Sequence, residues 1–99
     1  HIPRNMFTTK DSVAVIRNNQ GLGKWTKEAA AMEKVLYLDA NKIIADQLDQ
    51  MGKDSIQGLY WGDHTHTSKA GAVLNAKTIA EGIRDLKGCK LKKALKKKF

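Results

Sequence analysis

The sequence is short of cysteine and proline, with one of each in 99 residues. A lone Cys89 excludes an internal disulfide, and it lies among lysines, away from the histidines, so it joins no metal-ligand cluster. Long apolar runs are also missing. Spanning a bilayer takes roughly 18 to 20 apolar residues, whereas the longest runs here, Val35-Leu36-Tyr37-Leu38 and Val13-Ala14-Val15-Ile16, have the length of strands. No repeat and no Gly/Ser/Pro linker divides the chain, and its length excludes a second independent core. The opening His1-Ile2-Pro3-Arg4 has neither an initiator methionine nor the apolar region of a signal peptide, so the start is expected to be a cut made by processing or by cloning.

What is present is a globular composition, 41% hydrophobic and 28% charged, with a lopsided charge. Formal net charge is +8, but seven lysines and no acid fall between Lys87 and Phe99 and carry all but one unit of it. Positive charge confined to one terminal tail is a poor match to the basic face that a nucleic-acid partner needs, so no specific nucleic-acid partner is predicted. The tail, residues 87–99, contains no arginine for bidentate recognition. It places Leu91, Ala94 or Leu95, and Phe99 on one side of a possible helix. Such a basic amphipathic segment suits an anionic surface or polyanion, or serves as a solvated end.

Apolar spacing predicts the elements. Trp25, Ala29 and Met32 mark a helix over residues 24–34, with Trp25 expected in the core. Val35 to Leu38 reads as a strand covered on both faces, hence parallel and internal. Asn41 is expected to cap a second helix with the stripe Ile44, Leu48 and Met51, closed by Gly52. A helical turn is expected near residues 54–59. A long helix over residues 68–86 is capped by Ser68 or Thr67 and carries the stripe Ala72, Ala76, Ile79, Ile83 and Leu86, widened by Val73 and Ala80. Residues 1–23 are mostly irregular, with a short β segment at 13–16. One parallel strand cannot satisfy its own backbone, so the strand reading requires neighbours from elsewhere in a larger α/β domain or from another chain, and an unpaired edge invites self-association.

Chemistry concentrates in Tyr60-Trp61-Gly62-Asp63-His64-Thr65-His66-Thr67. Asp-x-x-His in a tight loop lets the acid orient an imidazole whose other nitrogen takes a proton from a serine. The same residues offer Asp63, His64 and His66 as the beginning of a metal site, though His1 is the only other histidine. They also suit a polar cap on the following helix. Trp61 and Tyr60 present aromatic faces that stack on a sugar ring or pack the loop against the domain.

Tyr37-Leu38-Asp39-Ala40-Asn41, then Gly62-Asp63-His64-Thr65-His66-Thr67-Ser68-Lys69-Ala70-Gly71-Ala72 and Asn75-Ala76, resemble the C-terminal part of SGNH (GDSL-type) hydrolases. Their rhamnogalacturonan acetylesterase-like branch is the nearest in pattern, and Pro3-Arg4-Asn5 and Trp25 also resemble it, which extends the likeness over residues 1–86. The resemblance implies a flavodoxin-like three-layer α/β/α fold with its last strand at 35–38. It implies a serine ester hydrolase of the carbohydrate O-acetylesterase type, with no cofactor and no metal. Asp63 would orient the imidazole, His66 would be the general base, and His64 would be a loop residue; Trp61, from its aromatic face just before the acid, is the substrate-binding candidate. The family's Gly-Asp-Ser block and oxyanion blocks have no counterpart, since Ser12, Ser55 and Ser68 stand in no matching motif. The implied protein is therefore a C-terminal segment, inactive alone, that joins an N-terminal part of the same domain and acts on an acetylated polysaccharide or other small ester. An extracellular or periplasmic location is implied by the resemblance only. The rival expectation is a non-catalytic binding module working through the basic tail.

Overall fold

Burial in this chain centres on one amphipathic helix. In the computed structural model, which describes residues 1–9 and 14–95, the helices are α1 (Leu22–Met32), α2 (Ala40–Met51) and α3 (Lys69–Asp85), with short 3-10 helices at Gln57–Leu59 and Lys90–Ala94. The Asp39 carboxylate starts α2 by accepting the Lys42 N–H at 3.0 Å, which satisfies one of the donors that a helix start leaves unpaired. Gly52 ends it at φ 87°, a backbone conformation in which side chains are strained. Asn41 lies inside α2 and is not its cap.

The buried face of α2 is Asn41, Ile44, Ala45 and Leu48. Ile44 and Leu48 meet Val15 and Ile56 in the core, and Ile2, Phe7, Leu59, Leu74 and Ile79 close over it. The irregular N-terminal segment is fastened to this helix by polar contacts. Asp49 accepts the Val15 N–H at 2.8 Å and pairs with Arg17, whose guanidinium also reaches Asp46 at 3.0 Å and donates to the Lys42 carbonyl at 3.2 Å. Each of these holds a chain segment that has no ladder of its own.

Packed on α2 is α3, and its approach depends on two glycines. A Cβ on Gly71 would sit 2.1 Å from the Leu59 carbonyl oxygen, and one on Gly82 would sit 2.7 Å from Ile43 Cδ1 and 2.9 Å from Leu38 Cδ1. The buried residues of α3 are Gly71, Thr78 and Ala80, and Ile79 packs against the core, while Ala72, Val73 and Ala76 are exposed. The expected stripe is therefore covered at Ile79 and Ala80 and uncovered in its first half. Ser68 caps α3 as anticipated, accepting the Gly71 N–H at 3.2 Å.

The fold class expected from the sequence is overturned. The described residues are 53% helical and contain no strand and no sheet, so this is not an α/β flavodoxin-like three-layer fold. Residues 35–38 carry no ladder, and Val35 and Leu36 are more than half exposed. The physical reason is that an apolar tetrapeptide becomes a strand only when another strand accepts its backbone hydrogen bonds. The nearest pairings here are single antiparallel bridges, Phe7 with Val15 and Tyr60 with Thr67. The argument for self-association through a strand edge falls with the strand. What precedes residue 35 is a helix stop. Lys34 sits at φ 54°, its N–H bonds Ala31 O at 3.2 Å, and the Val35 N–H bonds Ala30 O at 3.0 Å, which satisfies the last carbonyls of α1.

Trp25 is also placed differently from expectation. It is 61% exposed, Met32 is 80% exposed, and α1 buries no residue at all. Of the expected β segment at 13–16, Val13 lies outside the described residues, and Val15 contributes only its bridge to Phe7. Among the described residues no helix is long and apolar enough to cross a membrane.

Candidate active site

The loop between Tyr60 and Thr67 is a tight reversal closed by the bridge between those two residues and by the Trp61 N–H donating to the His66 carbonyl at 2.9 Å. Gly62, at φ 94°, makes the corner. Two clamps seat the loop on the body. The buried Tyr60 hydroxyl donates to the Pro3 carbonyl at 2.9 Å, and the Asn5 N–H donates to the His64 carbonyl at 2.9 Å. On the other side Ser68 ties the loop exit to the 3-10 turn, its N–H donating to Leu59 O and its hydroxyl to Gly58 O, both at 2.8 Å.

Within this frame Asp63 collects three hydrogen bonds. Its Oδ1 accepts the backbone N–H groups of Thr65 at 2.8 Å and His66 at 2.7 Å, and its Oδ2 accepts from His66 Nδ1 at 2.7 Å. Aspartate favours such local backbone bonding, and here the turn it makes aims one oxygen at the imidazole. The His66 backbone N–H, then that of Thr65, then the His66 side chain hold the Asp63 carboxyl well below the usual carboxylate range. An ionised carboxylate only accepts, so Nδ1 carries a hydrogen, and in the neutral form of the imidazole the lone pair is on Nε2. No described residue bonds Nε2, and the His66 side chain is 76% exposed. The pair is thus an oriented base with its working nitrogen open to an incoming group.

Because the Asp63 carboxyl is depressed, its hold on the turn is complete above the ordinary carboxylate value and is lost only as pH falls through the lower folded value. At pH 3.8, where an unperturbed aspartate is half protonated, the carboxyl carbon of Asp63 is expected to keep the NMR shift of the ionised form. A midpoint at that pH would show that the three hydrogen bonds do not form in solution.

The other residues singled out from the sequence separate. Trp61, two positions before Asp63, is 74% exposed, while Tyr60 is buried, so the two aromatics divide between a surface face and packing. His64 lines an open polar cleft of about 270 Å³ with Asn5, Gln57, Gly62 and Asp63. Among the described residues no group of three His, Cys, Asp or Glu side chains is placed to hold a metal ion, so the metal reading of Asp63, His64 and His66 gains no geometric support. Ser68 is committed to the cap, Ser55 makes no hydrogen bond to His66, and Ser12 lies outside the described residues. The basic tail forms the 3-10 turn Lys90–Ala94 beside the buried thiol of Cys89, with Leu91 exposed, and residues 96–99 lie outside the described residues. Sequence reasoning missed the Pro3 and Asn5 clamps, for which no local pattern gives a signal.

Comparison with family models, curated proteins and solved structures returns no match. The likeness to SGNH hydrolases therefore rests on the short motifs alone.

Proposed function

We propose that this chain supplies the acid and the base of a Ser-His-Asp ester hydrolase. Asp63 fixes the tautomer and orientation of His66, and His66 Nε2 takes the proton of a serine that lies outside these 99 residues, then returns it to the leaving alcohol. The observation that carries the reading is the Asp63 Oδ2 to His66 Nδ1 hydrogen bond of 2.7 Å, set by a turn that the same carboxylate builds, with Nε2 exposed. The reading does not depend on the fold class, because such triads recur on unrelated folds. The exposed Trp61, whose backbone N–H bonds the His66 carbonyl, offers a flat apolar face in the same loop, which suits a sugar ring, so an acetylated carbohydrate is the proposed substrate class.

The test uses the polypeptide encoded by the complete reading frame that contains these residues. It is treated with a fluorophosphonate, which labels only a serine activated by a neighbouring base, and assayed for acetate release from acetylated pectin. Labelling of one serine together with acetate release is the expected result. The 99-residue chain alone is expected to remain unlabelled and to hydrolyse p-nitrophenyl acetate no faster than free imidazole does. Absence of both labelling and acetate release from the full product would overturn the proposal.

A further inference from the structure

The N-terminal segment and the start of α2 enclose a second site, remote in sequence from the Asp63 loop. We propose that it binds a small carboxylate with an apolar tail. The argument begins at Asn41, which is 5% exposed. Its Oδ1 accepts the Asn18 N–H at 2.9 Å, and this fixes which way the amide faces. Its Nδ2 then points the other way, buried and with no acceptor. A buried donor without a partner bears its whole desolvation cost, and native structures leave very few. A ligand oxygen at this position would remove that cost.

Asn41 lines an open cavity of about 390 Å³ together with Arg4, Met6, Ile16, Arg17 and Leu22. The two arginines differ in what surrounds them. Arg17 is neutralised by Asp46 and Asp49, whereas the exposed guanidinium of Arg4 has no ion pair among the described residues. Of the two arginines it is therefore Arg4 whose charge is left for a ligand, with His1 also lining the cavity, and the fork of a guanidinium matches a carboxylate in shape. Met6, Ile16 and Leu22 are all more than a third exposed, and they supply an apolar wall for a short alkyl chain. One carboxylate oxygen takes the Asn41 Nδ2 hydrogen, the other faces Arg4, and the tail lies on the apolar wall.

The test is a titration of the 99-residue chain with sodium hexanoate, followed by the 15N-1H NMR signals of the Asn41 side-chain amide and the Asn18 backbone amide. Hexan-1-ol serves as the neutral probe of equal length. Saturable shifts at both positions are expected, with hexanol bound at least about tenfold more weakly, since a charged hydrogen-bond partner is lost. Arg4→Gln is expected to weaken hexanoate about tenfold, and its exposed position makes it safe for folding. Asn41→Asp keeps an acceptor for the Asn18 N–H, replaces the free donor with negative charge, and is expected to abolish binding. Absence of saturable shifts, equal affinity for hexanol, or an Arg4→Gln variant that binds as the parent does would each overturn the proposal.

Discussion

In the full reading-frame product, His66→Ala is expected to lower kcat for acetyl-ester hydrolysis by on the order of 10⁶-fold, and Asp63→Asn by about 10⁴-fold. The second substitution is the more informative, because the turn distinguishes the two oxygens of Asp63. An asparagine can still place its Oδ1 where the Thr65 and His66 backbone N–H groups donate, at 2.8 and 2.7 Å in the parent, so the loop is retained. The atom facing Nδ1 then becomes an NH2 donor. The imidazole must accept there, its hydrogen moves to Nε2, and the nitrogen aimed at the serine can no longer take a proton. The loss therefore falls on kcat, with KM changed little. A kcat within about tenfold of the parent would show that Asp63 serves only the turn. Parent-like near-ultraviolet circular dichroism from Trp61 would confirm that the loop had not moved.

Gly71→Ala is expected to destabilise the protein by about 2–3 kcal/mol, the upper part of the range for forced overpacking, and to lower Tm by about 10 °C or more. On an ordinary helix the change would stabilise, since alanine exceeds glycine in helix propensity by about 1 kcal/mol. Here the added methyl would lie 2.1 Å from the Leu59 carbonyl oxygen and 3.2 Å from Thr67 Cβ. Neither neighbour yields easily. The same carbonyl accepts the Ser68 N–H at 2.8 Å, and the Ser68 hydroxyl holds the carbonyl of Gly58 at 2.8 Å. Moving α3 outward would break these bonds and release the exit of the Asp63 loop, so stability and activity fall together. A rise in Tm, measured by calorimetry, would show that helix propensity wins and that the close approach is not maintained.

The two central helices and the Asp-x-x-His loop could be read from the sequence because each rests on local chemistry. The stop at Gly52 and the cap at Ser68 act within a turn of the residues they satisfy, and Asp63 bonds groups two and three positions away, whereas the cap of α2 was expected at Asn41 and is Asp39. What went unread depends on distant partners. Apolar spacing put Trp25 and Met32 on one face of α1, but spacing does not say whether anything covers that face, and nothing among the described residues does. The first half of the α3 stripe was misplaced because glycine counts as neither apolar nor large, although Gly71 and Gly82 make the close approaches of this helix. Val35 to Leu38 has the composition of a strand and lacks the one thing a strand needs, a neighbour. The clamps from Pro3 and Asn5 were invisible for the same reason, since more than fifty positions separate them from the loop they hold.

That separation bears on the order of assembly. A hydrogen bond between Tyr60 and Pro3 closes a loop of 57 residues, and closing it is entropically worthwhile only after α2 and the core around Ile44 have shortened the path. The Asp63 turn can bend early, from local bonds alone, but its seating on the body comes late. Unfastening the first five residues would then leave an intact imidazole–carboxylate pair swinging on a hinge, chemically competent and geometrically unaddressed.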